Sequence, residues 1–108
     1  MSSLSTHVLD SALGRPASGV GVRLESSEGA ELATGRTDAD GRIGDLVPDG
    51  LSAGSYRLVF DTADYFASTG QAAFYPEVIV AFTIADPAEH YHVPLLLAPF
   101  AYSTYRGS

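Results

Sequence analysis

Three histidines and one arginine carry the chemistry that this sequence can do. His7 lies near the start, and His90 and His92 stand two positions apart just ahead of an apolar run, Val93-Pro94-Leu95-Leu96-Leu97. An imidazole near its ordinary pKa of about 6.5 can take a proton from water and return it at physiological pH. Arg42 adds a planar, permanently charged fork suited to an anion or to a developing oxyanion. The last four residues, Tyr105-Arg106-Gly107-Ser108, bring a phenol, a second guanidinium and a carboxylate. Chain ends ordinarily carry disposable polar residues. Together these groups form a small hydrolytic toolkit in a chain that has no cysteine.

The elements that must position these groups are short and alternating. Leu4 to Asp10 reads as a strand, with Leu4, Thr6 and Val8 on one face and Ser5, His7 and Leu9 on the other. Ser11 to Gly19 reads as a loop, followed by strands at Val20 to Ser26 and Glu31 to Thr37. Asp38-Ala39-Asp40-Gly41 is a turn signal, since Asp closes local hydrogen bonds and Gly accepts positive φ. A short strand then runs from Arg42 to Leu46, and Pro48 to Gly54 is loop. Ser55 to Asp61 is a clear strand, with Tyr56, Leu58 and Phe60 in register. Thr62 to Thr69 is the one helix, capped by Thr62 and stopped by Gly70. Gln71 to Glu77 is irregular, and strands follow at Val78 to Ile84, His90 to Leu97 and Ala101 to Arg106. About eight short strands and one helix predict an all-β two-sheet sandwich in a single domain over residues 1–108.

Face parity then groups the chemistry. Tyr91, Val93, Leu95 and Leu97 make the apolar face of the penultimate strand, which leaves His90, His92, Pro94 and Leu96 opposite. On the last strand Ser103 and Tyr105 share a face. If these strands neighbour the first, one sheet surface carries His7, His92 and a phenol beside Leu9 and Leu96. Such apolar area on an outer face calls for a partner, and a site at a subunit interface satisfies both facts.

Composition excludes several classes. The net charge is −7, and all six basic residues are Arg, so the basic footprint that nucleic acid requires is missing. Without cysteine there are no disulfides, no thiolate zinc site and no thiol catalysis. No apolar stretch approaches the roughly 20 residues that cross a bilayer. The start, Met1-Ser2-Ser3-Leu4, lacks a basic n-region and a long apolar h-region, which predicts a cytoplasmic protein, or a periplasmic one if a leader has been cut away.

Other motifs compete with the hydrolytic reading. Gly50-Leu51-Ser52-Ala53-Gly54 matches a nucleophile-elbow pattern, but that pattern needs a strand before it and a helix after it. Here a strand follows, so a glycine-rich loop is the expectation. Asp38 to Gly41 hints at a calcium loop yet lacks the further acidic ligands, and it reads as a plain turn. His7, His90 and His92 could in principle hold zinc with an open water position, although any single His is as well explained as a solvated surface residue.

The stretches Leu4-Ser5-Thr6-His7-Val8-Leu9-Asp10, Gly14-Arg15-Pro16-Ala17, Thr37-Asp38-Ala39-Asp40-Gly41-Arg42, His90-Tyr91-His92-Val93-Pro94-Leu95-Leu96 and Ser103-Thr104-Tyr105-Arg106-Gly107-Ser108 resemble the 5-hydroxyisourate hydrolases, the enzyme branch of the transthyretin-like proteins. They span nearly the whole chain, and the ending Tyr-Arg-Gly-Ser is specific to the enzyme branch. The resemblance implies a transthyretin-like sandwich of eight strands with one short helix, assembled as a homotetramer with sites in a channel between dimers. It implies hydrolytic opening of 5-hydroxyisourate to 2-oxo-4-hydroxy-4-carboxy-5-ureidoimidazoline, a step of urate degradation, with no metal and no other cofactor. By the same resemblance His7, Arg42 and His92 are catalytic. Substrate is held by His7, Arg42, Tyr105, Arg106 and Ser108, with His90 in support. The competing expectation is a transthyretin-like module without catalysis that carries a small aromatic ligand in the same channel.

Overall fold

Strict alternation of side chains builds the two layers. The computed structural model describes residues 2–108. In β1 (Ser3–Asp10) the residues Leu4, Thr6, Val8 and Asp10 are buried, while the intervening ones are half-exposed on the outer face. The same two-residue period runs through β3 (Gly21–Ser26), β6 (Gly54–Asp61), β7 (Val78–Ile84) and β8 (His90–Ala98), interrupted where Val59 of β6 and Pro94 of β8 are buried as well. The inner faces close on one core in which Leu4, Leu24, Leu58, Phe60, Phe66 and Leu95 are fully buried. Truncating one of the phenylalanines to Ala would cost about 3–5 kcal/mol through lost burial and the cavity left behind.

One sheet has five strands, in the order β2 (Arg15–Pro16), β1, β8, β9 (Ala101–Thr104), with β5 (Arg42–Ile43) also paired to β1. The other has four, in the order β4 (Glu31–Arg36), β3, β6, β7. β1 and β8 run parallel along their length, from Ser3↔His90 to Asp10↔Leu97. The remaining pairs are antiparallel. The arrangement is the all-β sandwich expected from the alternation, with the first, penultimate and last strands as neighbours.

Local chemistry moves several boundaries. Arg15–Pro16, expected as loop, pairs with Leu9 and Asp10 as a two-residue edge strand, where a proline's missing N–H does no harm. The strand expected from Arg42 to Leu46 ends at Ile43, because the chain then folds back: Leu46 N–H donates to the Leu4 carbonyl at 2.8 Å, and Asp45 accepts from the Val47 amide at 3.1 Å. The helix α1 spans Thr62–Ser68, and its cap is Asp61, which accepts from the Asp64 amide. Thr62, the expected cap, is buried and gives its hydroxyl to the Tyr75 carbonyl instead.

The last strand was expected to reach Arg106 but stops at Thr104. Pro94 in the facing strand has no N–H, so the ladder lacks a donor opposite the tail. Pairing resumes in the single bridge His92↔Gly107, where the Gly107 amide donates to the His92 carbonyl at 2.8 Å.

Candidate active site

Three rows of side chains cross the outer face of the five-stranded sheet. Arg42 stands directly opposite His7 in the β5–β1 pair, and His7 is level with Pro94 of β8. One row along, Ser5 is level with His92, which in turn faces Gly107. The third row pairs Ser3 with His90. Residues opposite one another in such rows have Cβ atoms roughly 4.5–5.5 Å apart, close enough to act on one small molecule.

The turn before β5 delivers Arg42 to its place. The Asp38 carboxylate accepts from the amides of Asp40 and Arg42 at 2.9 and 3.0 Å, so it is spent on the backbone and reads as the plain turn expected. Gly41 has φ of 76° and lies against the Val8 carbonyl, a conformation and a clearance that a side chain would spoil. The Val8 amide donates to the Gly41 carbonyl at 2.7 Å, which staples the turn to β1.

His7 is held by its Nε2, 3.0 Å from the Asp40 carbonyl. A carbonyl only accepts, so Nε2 carries the proton and Nδ1 of the neutral ring keeps the lone pair. His92 is half-buried, and its Nδ1 lies 2.7 Å from the Ser5 hydroxyl. Burial pushes the His92 pKa below its ordinary value, and the neighbouring charges of Arg42, His7 and His90 push it further the same way. His92 is therefore a neutral imidazole at physiological pH, able to accept a proton.

A cleft of about 300 Å³ opens here, walled by Ser5, Arg42, Gly44, His90, His92 and Ser108 among others. It brings together Arg42, His92 and the chain end, and His7 stands in the adjoining row, outside the lining. Arg42 takes part in none of the ion pairs found among the described residues, so its guanidinium is free for an anion.

Tyr105 and Arg106 go elsewhere. They line a second cleft of about 310 Å³ with Val80, Phe82, Tyr91 and Thr104, and only His92 belongs to both clefts. Arg106 binds Glu89 at 2.8 Å, and its guanidinium lies 4.6 Å above the Tyr91 ring, so it faces away from the first cleft. Tyr105 is 59% exposed.

Ser5 and Gly107 were missed at the sequence level. Ser5 was legible in principle, since it shares the outward parity of His7. Gly107 is absent from the residues with positive φ, and its role is close approach to the His92 ring. Gly50 to Ala53 is loop, as expected, with Gly54 opening β6 and the Ser52 carbonyl accepting from the Tyr56 hydroxyl at 2.9 Å. Among the described residues no three His, Asp, Glu or Cys side chains are placed to share one ion.

A family model described as HIUase/Transthyretin family matches residues 4–107. The chain belongs to that family. A 5-hydroxyisourate hydrolase from Salmonella dublin is 50% identical, with 97% of this chain and 80% of that protein covered. The solved structure of Klebsiella pneumoniae 5-hydroxyisourate hydrolase superposes with a TM-score of 0.91 at 42% identity, covering 98% of this chain and 99% of the other. Sea bream transthyretin, solved in complex with thyroxine, superposes at 0.86 with 36% identity over 96% of this chain and 93% of its own. 5-Hydroxyisourate hydrolases and a transthyretin solved with thyroxine thus share one fold, and site residues must tell them apart.

Proposed function

We propose that this chain hydrolyses 5-hydroxyisourate to 2-oxo-4-hydroxy-4-carboxy-5-ureidoimidazoline, a step of urate degradation. The observation that carries the reading is the cleft in which a free Arg42 guanidinium, a neutral His92 and the Ser108 end converge beside the His7–Arg42 pair. A carrier of an apolar ligand gains nothing from two imidazoles and an unpaired guanidinium on one sheet face. An amide hydrolase needs them.

In the reaction a water oxygen bonds to the ring carbonyl carbon, the carbon–nitrogen bond breaks, and one water proton goes to the ring nitrogen while the other passes to solvent as the freed carboxyl group ionises. His92 accepts the proton of the attacking water. Arg42 binds the anionic ring and stabilises the charge that develops on the carbonyl oxygen, a contribution of the kind worth about 2.7–4 kcal/mol. His7, its Nε2 tied to the Asp40 carbonyl, has Nδ1 for a second proton-transfer or hydrogen-bonding role. Ser108 closes one end of the cleft. Tyr105 and Arg106 bind substrate only if the tail rearranges or a second copy of the chain completes the site.

Such a second copy is part of the proposal. Leu9 and Leu96 are level with each other beside the site rows, and Leu96 is a large apolar residue left exposed on that face of β8. We take the working form to be a homotetramer, with this face turned inward. A fully active monomer in sedimentation at assay concentration would overturn that assembly.

The test of the activity is direct. Freshly made 5-hydroxyisourate should lose its ultraviolet absorbance faster with the protein than without, and His92→Ala should lose most of that acceleration, typically 10²-fold or more for an acid–base group. Chelation should leave the rate unchanged. Decay at the rate of the protein-free solution would overturn the reading, and loss on chelation with recovery on zinc would replace it with metal chemistry.

A further inference from the structure

The hydroxyl of Ser5 joins two imidazoles. Its Oγ lies 2.8 Å from Nε2 of His90 and 2.7 Å from Nδ1 of His92. The other ring nitrogen of His90, Nδ1, meets the hydroxyl of Ser3. His92 is half-buried and His90 exposed, and a continuous line of hydrogen-bonding atoms runs along the cleft wall from His92 through Ser5 and His90 to Ser3, outside the lining.

Of the ways to satisfy these contacts, two let a proton pass along the whole line. A hydroxyl has one proton to give, and a neutral imidazole has one N–H and one lone pair. In the first state His92 Nδ1–H donates to Ser5, Ser5 donates to His90 Nε2, and His90 Nδ1–H donates to Ser3. Nε2 of His92 is then a lone pair, a base. In the second state every donor is reversed: Ser3 donates to His90 Nδ1, His90 Nε2–H to Ser5, and Ser5 to His92 Nδ1. Nε2 of His92 then carries the proton, an acid.

We propose that Ser5, His90 and Ser3 form a proton relay that switches His92 between base and acid within one turnover. The proposal rests on the hydrolytic reading above. When His92 Nε2 takes the proton of the attacking water, its Nδ1 proton passes to Ser5, whose own proton passes to His90 Nε2. His90 gives its Nδ1 proton to Ser3, and Ser3 releases one to solvent water. One proton has entered and one has left, and His92 is again neutral, now with Nε2–H. When that proton goes to the departing ring nitrogen the relay runs back, a solvent proton enters at Ser3, and the first state is restored.

The surroundings favour export of the charge over storing it. A cationic His92 is opposed first by its burial and then by Arg42 on β5, and a hydrogen bond to Ser5 that favours the cation does not outweigh them. The Ser108 end also lines the cleft, while Glu89, next to His90, is occupied by Arg106. Ser5 and His90 act through His92, so they are positioning residues of the reaction.

The test compares Ser5→Ala, His90→Ala and the double variant with the wild-type protein, all as the full chain. Each single change should lower kcat at least tenfold, part of the roughly 10²–10⁴-fold of a positioned proton transfer. KM should move by less than about twofold, as for an interaction made only in the transition state. The double variant should be no slower than the slower single variant, because both break one line, and Ser5→Thr, which keeps the hydroxyl, should restore turnover. Unchanged kcat in Ser5→Ala, or losses that multiply in the double variant, would overturn the relay. A second readout stands apart from turnover: the ring nitrogen resonances of His92 should shift in Ser5→Ala as Nδ1 loses its partner. An unchanged His92 spectrum overturns the relay even if the substrate proves different, whereas a shifted spectrum in a protein inert toward 5-hydroxyisourate overturns only the hydrolytic reading.

Discussion

Gly107 lies so close against the His92 ring that a side chain has no room there. A methyl group on its Cα would overlap Cδ2 of His92 and stand 3.1 Å from Cγ of Pro94. The same residue gives its amide to the His92 carbonyl at 2.8 Å, so the tail grips both the backbone and the ring of the proposed base. Gly107→Ala should therefore push the imidazole out of line. A displacement of about 1 Å at a reacting group can cost 10²-fold in rate, and a fall in kcat of that order is expected with the melting temperature nearly unchanged. Full turnover in Gly107→Ala would show that the ring tolerates the displacement.

The pH dependence of kcat/KM follows from the setting of His92. Burial, then Arg42, then the other histidines hold its pKa below the ordinary value of about 6.5. The neutral base is present above that depressed value and is lost as pH falls through it, so the acid limb of the profile should have its midpoint below about 6.5. Arg42→Gln removes one of the opposing charges. It should move that midpoint upward while lowering the rate, and only part of the way, because burial remains. A midpoint that stayed in place in Arg42→Gln would mean that another group governs the limb.

Alternation and turn chemistry made most of this fold legible. Leu4, Thr6 and Val8 against Ser5, His7 and Leu9 placed His7 on the outer face, and Tyr91, Val93 and Leu95 did the same for His90 and His92. What the chain alone left open was long-range. Nothing local says that β1 and β8 are parallel neighbours, or that Ser5 falls level with His92, 87 positions away. Within one chain Arg106 lies away from the first cleft, for a physical reason. Parity put Tyr105 on the face of the site and the resemblance set Arg106 beside it, but the ladder breaks opposite Pro94, and Glu89 with the Tyr91 ring holds the guanidinium on the other side. Pro94 itself, expected open, is buried, with Gly107 laid against it.

Asp10 and Tyr65 give an alkaline signature of the core. The Tyr65 hydroxyl donates to the buried Asp10 carboxylate at 2.7 Å, and Gln71 and the Leu13 amide donate to it as well. Burial raises the Asp10 pKa, but those bonds outweigh it and hold the carboxyl below its ordinary value. Burial, then the bond to Asp10, pushes Tyr65 up to about 12. A group whose folded pKa is raised adds stability that is whole below its unfolded pKa, about 10 for Tyr. Stability should thus be lost as pH rises from about 10 toward 12, by on the order of 2–3 kcal/mol. Chemical denaturation at a series of alkaline pH values checks this, and Tyr65→Phe should be less stable at neutral pH yet flatter across that window. Equal slopes in the two proteins would remove Tyr65 as the cause.

The tail separates catalysis from stability. A chain ending at Thr104 loses the exposed Arg106–Glu89 pair and the stacking of Arg106 on Tyr91. Exposed ion pairs contribute about 0–1 kcal/mol and exposed cation–π contacts about 0.5–1 kcal/mol, so the fold should lose at most about 2 kcal/mol. The same truncation removes the Gly107 contact to His92 and the Ser108 wall of the cleft, and activity should fall about 10²-fold. Arg106→Gln tells anchor from ligand. As an anchor on Glu89 and Tyr91, Arg106 should leave kcat within a few-fold of wild type while loosening the tail, whereas a substrate-binding arginine would raise KM sharply on loss of a charge-assisted contact. Ring opening, thermal melting and sedimentation should be measured on both variants together, so that a lost assembly is not mistaken for a lost site. A truncated chain that keeps its assembly and full turnover would take the tail out of the chemistry altogether and leave Arg42, His7 and His92 to carry it alone.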